Sequence, residues 1–436
     1  MHIGLDFGTT NSAIAAAGEN TNARLLPLSV QNKPLSVFRS ILYFDADERD
    51  PTGRPQYSAG PEAIDAYLDH GTDGRLIQSI KSYLANKNFS STDIFGSKFT
   101  LENLISLLIA AMIDAAQNAE QLRESFKTVP VTVGRPARFV RASASEPAED
   151  PEELALGRLR TALQAAGIFN VNFELEPVAA AYAYEERIDR DETVLIGDFG
   201  GGTSDFCLLK VGPGARTASS RADTIMATGG VGVAGDAFDA RIVEHCIAPE
   251  LGRHLSYRSA GGKQLPMPGW IYDSLKQWHQ LSFINTYKTR RLLAEIGATA
   301  DEPTRIEALA TLISGNRGFD IYRAVEAAKV GLSNQNEVTL RLAAPPIKIE
   351  RTVKRADFES WIKPELTKVT NCLDDLMNDA GKVTVDRVFL TGGSSFLPAV
   401  RRLFERRFGA DQISGGNELT SVATGLALAA RNRARA

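Results

Sequence analysis

The sequence predicts an α/β fold of two related lobes with an inserted helical subdomain, and three observations carry that prediction. The first is a repetition. Ile3-Gly4-Leu5-Asp6-Phe7-Gly8-Thr9-Thr10-Asn11-Ser12 and Ile196-Gly197-Asp198-Phe199-Gly200-Gly201-Gly202-Thr203-Ser204-Asp205 both run from an apolar strand through Asp-Phe-Gly into small residues and Thr. The second is that strand and helix patterns alternate along most of the chain. The third is a change of texture over 249–335, where strand patterns nearly vanish and helical ones follow one another. With 436 residues, 43% of them hydrophobic, the chain is long enough for roughly two to four folding units of about 100–200 residues, each with a buried core.

A strand that ends in Asp and turns through glycine and hydroxyl residues exposes a carboxylate and several backbone N–H groups at one tight hairpin, which suits a phosphate. Either turn alone reads equally well as an ordinary hairpin. The pair suggests duplicated lobes whose turns face each other and hold a polyphosphate, with the two Asp residues near a Mg²⁺.

Taken in order, residues 3–17 and about 24–44 read as strands of a meander, and Ser58 to Leu84 and Leu101 to Phe126 read as helices. In the second of these helices Leu101, Leu104, Ile105, Leu108, Ile109 and Met112 recur at helical spacing behind Thr100, a suitable cap. That stripe is core. A buried strand at Thr128 to Val133 precedes a Ser/Glu/Pro-rich loop at 141–153. A helix at about 152–166 and the strand Asn172 to Leu175 follow, and Glu176-Pro177 opens the helix Val178 to Arg187, since Pro fits a first turn. Strands at 193–198, 204–211 and 223–227 lead to a glycine-rich stretch and a helix from Asp236. In the helical 249–335 region the Trp270/Trp278 segment is amphipathic. A strand at 385–391 then reaches Thr391-Gly392-Gly393-Ser394-Ser395, followed by a helix from Pro398 to Phe408 and a last helix at about 420–432.

The composition excludes several classes. Net charge is −4 and the 49 basic residues are spread along the chain, so nothing argues for nucleic acid. Cys207, Cys246 and Cys372 are widely spaced, which supports neither a disulfide framework nor a zinc site and fits a reducing compartment. The N-terminus reads directly as a strand with no leader, and the apolar run Leu104 to Ile113 is too short to span a bilayer. A soluble, cytoplasmic protein is expected. Gly230-Val231-Gly232-Val233-Ala234-Gly235 fits a dinucleotide pattern, but the acidic strand end required some 20 residues later is missing. It is no P-loop either, since Asp236 stands where Lys-Ser/Thr would follow. Asp-Phe-Gly has no His-Arg-Asp partner, which removes a protein kinase.

Read together, these motifs resemble the actin-like ATPases, whose fold is two duplicated ribonuclease-H-like lobes. Within them the chain is similar to the nucleotide-binding domain of the seventy-kilodalton heat-shock chaperones (DnaK-like), most of all the short YegD-like members. Ile3 to Ala15 and Asp198 to Asp205 look like the family's two phosphate loops, Phe173 to Ala181 like its connecting segment, and Thr391 to Pro398 like its adenosine loop. The resemblance implies lobe I at 1–190 with an inserted subdomain at about 37–117, and lobe II at 191–415 with a mostly helical insertion at about 231–335. A C-terminal helix in 416–436 would return to lobe I.

It also implies roles. Thr9, Thr10 and Asn11 would contact the β- and γ-phosphates, with Gly8 and Gly235 among the nucleotide-contacting positions. Asp6 and Asp198 would hold Mg²⁺ through its waters, and the amides of Gly200, Gly201, Gly202 and Thr203 would cradle the remaining oxygens. Lys81 matches the lysine that positions the attacking water, although a lysine on a helix is ordinarily a solvated charge. Glu176 matches the carboxylate that organises water and metal, although beside Pro177 it also suits a helix start. Glu326, Lys329 and Ser333 share one helix face and match the nucleoside-binding helix, with Gly392, Gly393 and Ser394 approaching adenosine from the other side.

Departures accompany the match. Val330 stands where the family has an adenine-stacking arginine, and Phe396 where another is expected. An apolar pair can enclose a base without guanidinium stacking. Pro136 resembles the interlobe switch proline. The chain stops at Ala436, where the family continues into a linker and a peptide-binding sandwich. Three functional readings follow. The first is a Mg²⁺-dependent, slow ATPase switch related to chaperones, cycling between ATP and ADP, with unfolded protein or a co-chaperone as partner. The second is a small-molecule or sugar kinase of the same superfamily, and the third a nucleotide-binding interaction or filament module.

Overall fold

The structure, a computed structural model, describes residues 1–70, 74–116, 119–139, 151–186, 188–216, 221–277, 281–315, 317–344, 347–415 and 421–435. The loop expected at 141–153 lies outside the described residues up to 150, and so does Trp278. The chain forms two compact units, one of residues 1–235 with 367–436 and the other of residues 236–366.

The larger unit contains two sheets of matching design. The first has β1 (His2–Phe7), β2 (Asn11–Ala17), β3 (Phe38–Arg39), β4 (Val131–Arg135) and β5 (Val171–Leu175). Its order is β5-β4-β1-β2, extended by the short strand Arg24–Leu25, with β3 also paired to β2. The second has β6 (Glu192–Phe199), β7 (Ser204–Val211), β8 (Ile225–Val231), β9 (Arg387–Thr391) and β10 (Ile413–Gly415) in the order β10-β9-β6-β7-β8. Each has a central antiparallel hairpin with two parallel strands on one side and antiparallel pairing on the other, and the registers coincide. Asp6 faces Ala13 and Phe7 faces Ser12 in one, while Asp198 faces Asp205 and Phe199 faces Ser204 in the other. The repetition expected from the two Asp-Phe-Gly turns is a duplication of the sheet around them.

The core between the sheets is built of small residues. Helix α1 (Glu176–Glu185) buries Val178, Ala179, Ala180 and Ala181, and the last helix, α2 (Ser421–Arg435), buries Ala423, Leu426, Ala427 and Ala429. The two helices meet closely enough that a Cβ on Gly425 would lie 1.7 Å from the Ala179 carbonyl oxygen. Only glycine permits that approach. A second core surrounds the helix Leu101–Asp114, whose stripe from Leu101 to Met112 is buried as expected. Thr100 accepts from the Asn103 amide and Asn103 Oδ1 accepts from the Thr100 amide, both at 3.2 Å, a closed capping box.

Two helical expectations fail. Ser58 to Leu84 is no continuous helix but the strand Pro55–Ala59, the helix Pro61–His70, the strand Arg75–Gln78 and a 3₁₀ turn at Ile80–Tyr83. The strand Ile41–Arg49 pairs on both sides with the two strands of this stretch, and such pairing overrides local helical preference. Leu101 to Phe126 is divided between helices Leu101–Asp114 and Ala119–Thr128.

The smaller unit is mostly helical. It also carries two hairpins, Ser256–Arg258 with Gln264–Pro266 and Glu337–Ala344 with Ile347–Lys354. The first falls in the stretch expected to be nearly free of strands, and its strands are too short to impose a period on the sequence. Among the described residues no helix is long and apolar enough to cross a membrane.

Candidate functional site

The two hairpin turns are held from behind. In the first, the Gly8 amide donates to Ser12 Oγ at 3.2 Å. In the second, the Gly200 amide donates to the Thr203 carbonyl at 3.0 Å, and the Gly235 amide donates to the Gly200 carbonyl at 3.3 Å. Ser204 Oγ donates to the Val233 carbonyl at 2.6 Å. Beside this turn runs Gly392, Gly393 and Ser394. Gly392 has φ of 82°, and a Cβ there would stand 2.2 Å from the Phe199 carbonyl oxygen, so the loop reaches the turn through a left-handed residue. Ser394 Oγ lies 3.5 Å from the Gly200 carbonyl. Sequence positions 200, 235 and 392–394 are thus one constellation.

At the strand ends the charges gather. Lys81 is carried by the turn Ile80–Tyr83, entered through Ser79 in a left-handed conformation. Its Nζ donates to Glu176 Oε1 at 2.6 Å, and both side chains are buried. The structure therefore rejects the solvated-lysine reading. Glu176 opens α1 just before Pro177, and it is a buried ion-pair partner as well as a helix-start acid. Burial, followed by the Glu176 carboxylate, raises the Asp6 carboxyl to about 7 against the opposing pull of Lys81. Asp198 is raised well above the ordinary carboxylate range by burial, then by Glu176, Asp205 and Asp6. Burial lowers Lys81, but Glu176, Asp6 and Asp198 outweigh it and hold the ammonium above its ordinary value.

Asp205, to which the sequence motif assigns no role, belongs to this cluster. Burial and Glu176 raise it to about 7, while the Thr203 hydroxyl and the amides of Arg138 and Ala137 stabilise its charge. Its Oδ1 accepts from the Ala137 amide at 2.9 Å and the Arg138 amide at 3.3 Å, directly after Pro136. The signal was its place in the second turn, where the first has Ala13.

Lys81 opposes the carboxylates of Glu176, Asp6 and Asp198, and Asp205 adds a fourth beside Asp198. That donor set suits a hard divalent cation with oxygen ligands. Among the described residues no three Asp, Glu, His or Cys groups stand close enough to ligate an ion directly. A Mg²⁺ usually keeps several waters.

In the smaller unit, helix Gly318–Asn334 presents Glu326, Lys329 and Ser333. Lys329 Nζ donates to Asp239 Oδ2 at 2.8 Å, and Ser333 Oγ lies 3.3 Å from the Lys329 carbonyl. Burial, then Asp239 and Glu326, raise Asp236 to about 6, with Lys329 opposing. Val330 is 58% exposed on this helix, and Phe396, in the larger unit, is 51% exposed.

Comparison with known proteins gives two findings. A family model described as Hsp70 protein matches residues 85–254 and 318–432. This range takes in Glu176, the second turn, Gly235, the Glu326 helix and Gly392 to Ser394, while Asp6, the first turn and Lys81 lie before it. Among curated proteins, the chaperone protein DnaK of Deinococcus proteolyticus is 25% identical over 451 residues, an alignment covering 98% of this chain and 58% of the relative. The chain therefore spans somewhat over half the length of that chaperone.

Proposed function

The chain belongs to the Hsp70 family, whose model matches more than half of it, and from that premise we propose a Mg²⁺-dependent ATP-binding switch that hydrolyses ATP slowly. The observation that carries the reading is the Lys81–Glu176 pair, 2.6 Å apart, buried beside Asp6 and Asp198 at the ends of two strands that a duplication has made equivalent. The fold is the two-lobed actin-like one, and chaperone-related ATP binding goes with the family.

In this reading the backbone amides of Gly8 to Asn11 and of Gly200 to Thr203 take the phosphate oxygens, aided by the hydroxyls of Thr9, Thr10 and Thr203. Asp6 and Asp198 hold Mg²⁺ through its waters, and the bound cation supplies charge neutralisation at the β- and γ-phosphates. An ammonium has three protons to donate. Lys81 gives one to Glu176, which fixes its direction, and offers the others to the attacking water. Positioning and preset charge then supply the rate, with little covalent work by the protein. We assign Glu326, Lys329 and Ser333, and separately Gly392, Gly393 and Ser394, to the nucleoside. The nucleotide state is read by a partner, either an unfolded polypeptide or a co-chaperone.

The test is Mg²⁺-ATP binding by calorimetry together with ADP release, for wild type and Lys81→Ala, with and without an unfolded polypeptide. Wild type binds and slowly cleaves ATP, and the variant binds but loses on the order of 100-fold in turnover. A wild type that neither binds nor cleaves ATP defeats the reading. ADP release that rises only with one added metabolite turns it toward a kinase.

A further inference from the structure

The first phosphate turn is braced by two residues from a distant stretch of sequence. Strand β3 pairs antiparallel with β2 so that Arg39 lies directly across from Asn11 and Phe38 across from Ser12. Ser40 follows, and its buried hydroxyl donates to the Gly8 carbonyl at 2.8 Å and shares a hydrogen bond with Ser12 Oγ at 2.9 Å. Its amide donates to the Thr10 carbonyl at 2.9 Å. The turn is gripped at Gly8, Thr10 and Ser12, so its backbone is set before any ligand arrives. Arg39 acts on the side chain that remains. Its Nη1 donates to Asn11 Oδ1 at 3.2 Å.

That contact has a chemical consequence. A side-chain amide has an acceptor end and a donor end and can present either. A guanidinium has only donors and keeps its charge at any working pH. By occupying Oδ1, Arg39 selects the flip state in which the Asn11 NH₂ group is the end left for a ligand at the turn. An NH₂ donor suits a phosphate oxygen, whereas the opposite flip would aim a carbonyl oxygen at an anion.

We propose that Arg39 is a positioning residue for the polyphosphate. It fixes Asn11 as a donor and brings a positive charge to the turn. The inference rests on the nucleotide reading given above and extends it to a residue that the phosphate-loop motif does not contain.

The experiment is a double-mutant cycle on the full chain, with Mg²⁺-ATP and adenosine as the titrants. It compares wild type, Arg39→Ala, Asn11→Ala, the double variant and Arg39→Lys, and thermal melting checks that each is folded. Arg39→Ala weakens Mg²⁺-ATP by about tenfold in the wild-type background, the scale of one charge-assisted contact. In the Asn11→Ala background the same change costs less than about threefold, because the amide it orients is gone. Adenosine, which has no phosphate, binds wild type and Arg39→Ala alike. Arg39→Lys, also donor-only and cationic, recovers most of the loss. Equal effects of Arg39→Ala in both backgrounds, or an equal loss for adenosine, overturn the inference while leaving the nucleotide site standing. Absence of Mg²⁺-ATP binding by wild type overturns the nucleotide reading itself, and this inference with it.

Discussion

At the scale of single residues, the charge cluster behaves as an unbalanced group. Lys81 opposes Asp6 and Asp198, which lie beside Glu176. Removing one partner of a buried pair leaves the other's charge uncompensated. Lys81→Ala therefore destabilises the metal-free protein by about 3 kcal/mol, and on the proposed reading, in which Mg²⁺ binds beside Asp6 and Asp198, Mg²⁺ recovers part of the loss. Glu176→Gln costs less, because it also removes one negative charge from a crowded set. Urea titrations in chelator and in Mg²⁺ measure both, and a larger loss for Glu176→Gln would refute this account. In the smaller unit, Asp236 lies among Asp239, Glu326 and Lys329, and its carboxyl is raised to about 6. A raised acid contributes stability that is complete below its unfolded value, near 4, and is lost as pH climbs through the folded value. The smaller unit thus loses stability between about pH 4 and 6, and above pH 6 it bears the cost of the ionised form. Asp236→Asn removes that slope and raises stability at pH 7.5 by roughly 3 kcal/mol. A pH series of urea midpoints for the two proteins is the measurement, and unchanged slopes would contradict it. These residues differ in how far sequence reveals them. Lys81 was legible only by its resemblance to a family lysine, and Asp205 was visible in the motif yet lacked a role. Arg39 and Ser40 carried no signal, because their chemistry arises from a strand pairing across more than twenty intervening residues.

At the scale of elements, legibility followed the strength of the period. Helix Leu101–Asp114 combines a full apolar stripe with a cap, and both are present as read. Thr100→Ala removes the side-chain half of its capping box and costs about 1 kcal/mol, which a denaturant titration reads directly. Ser58 to Leu84 has apolar residues at spacings that also suit a helix, but the strand Ile41–Arg49 claims both ends of the stretch as partners. No local pattern announces that competition. Glycine at 425 was equally silent, since a glycine inside a helical pattern usually counts against the helix. Its reason is the Ala179 carbonyl, 1.7 Å from where a Cβ would be. Gly425→Ala should therefore destabilise by 2 kcal/mol or more, through forced separation of the two helices, despite alanine's better helix propensity. A neutral or stabilising result would show that the helices shift apart cheaply.

At the scale of the whole molecule, one repeated device in the sequence corresponds to one repeated sheet. The two Asp-Phe-Gly turns have the same register because each closes the central hairpin of a sheet with the same strand order. That much was legible, since a turn of this kind needs the same residues wherever it occurs. The joining of the duplicated sheets was less legible, because it depends on helices whose alanine and glycine faces have almost no hydrophobic contrast. Helix α2 supplies this joint. Its Ala423 and Ala427 belong to one core with Ala13 and Ala15 of the first sheet and with Ile196 and Leu209 of the second, while Leu426 packs against Ala179. Helix α2 thus completes a core whose other walls come from residues far from it in sequence, Ala13 and Ala15 on one side and Ile196 and Leu209 on the other. A chain ending at residue 420 would expose those alanine and isoleucine faces on both sheets together, at roughly 25 cal/mol per Å² of apolar surface returned to water. We expect it to lose cooperative unfolding of the larger unit while keeping much of its helical signal, the behaviour of a collapsed state without fixed packing. Near-ultraviolet circular dichroism and limited proteolysis of the shortened protein decide the matter. Retained near-ultraviolet signal and a sharp melt within a few degrees of the full chain would mean that each sheet completes its core without α2, and that the helix is an addition to two independently stable lobes.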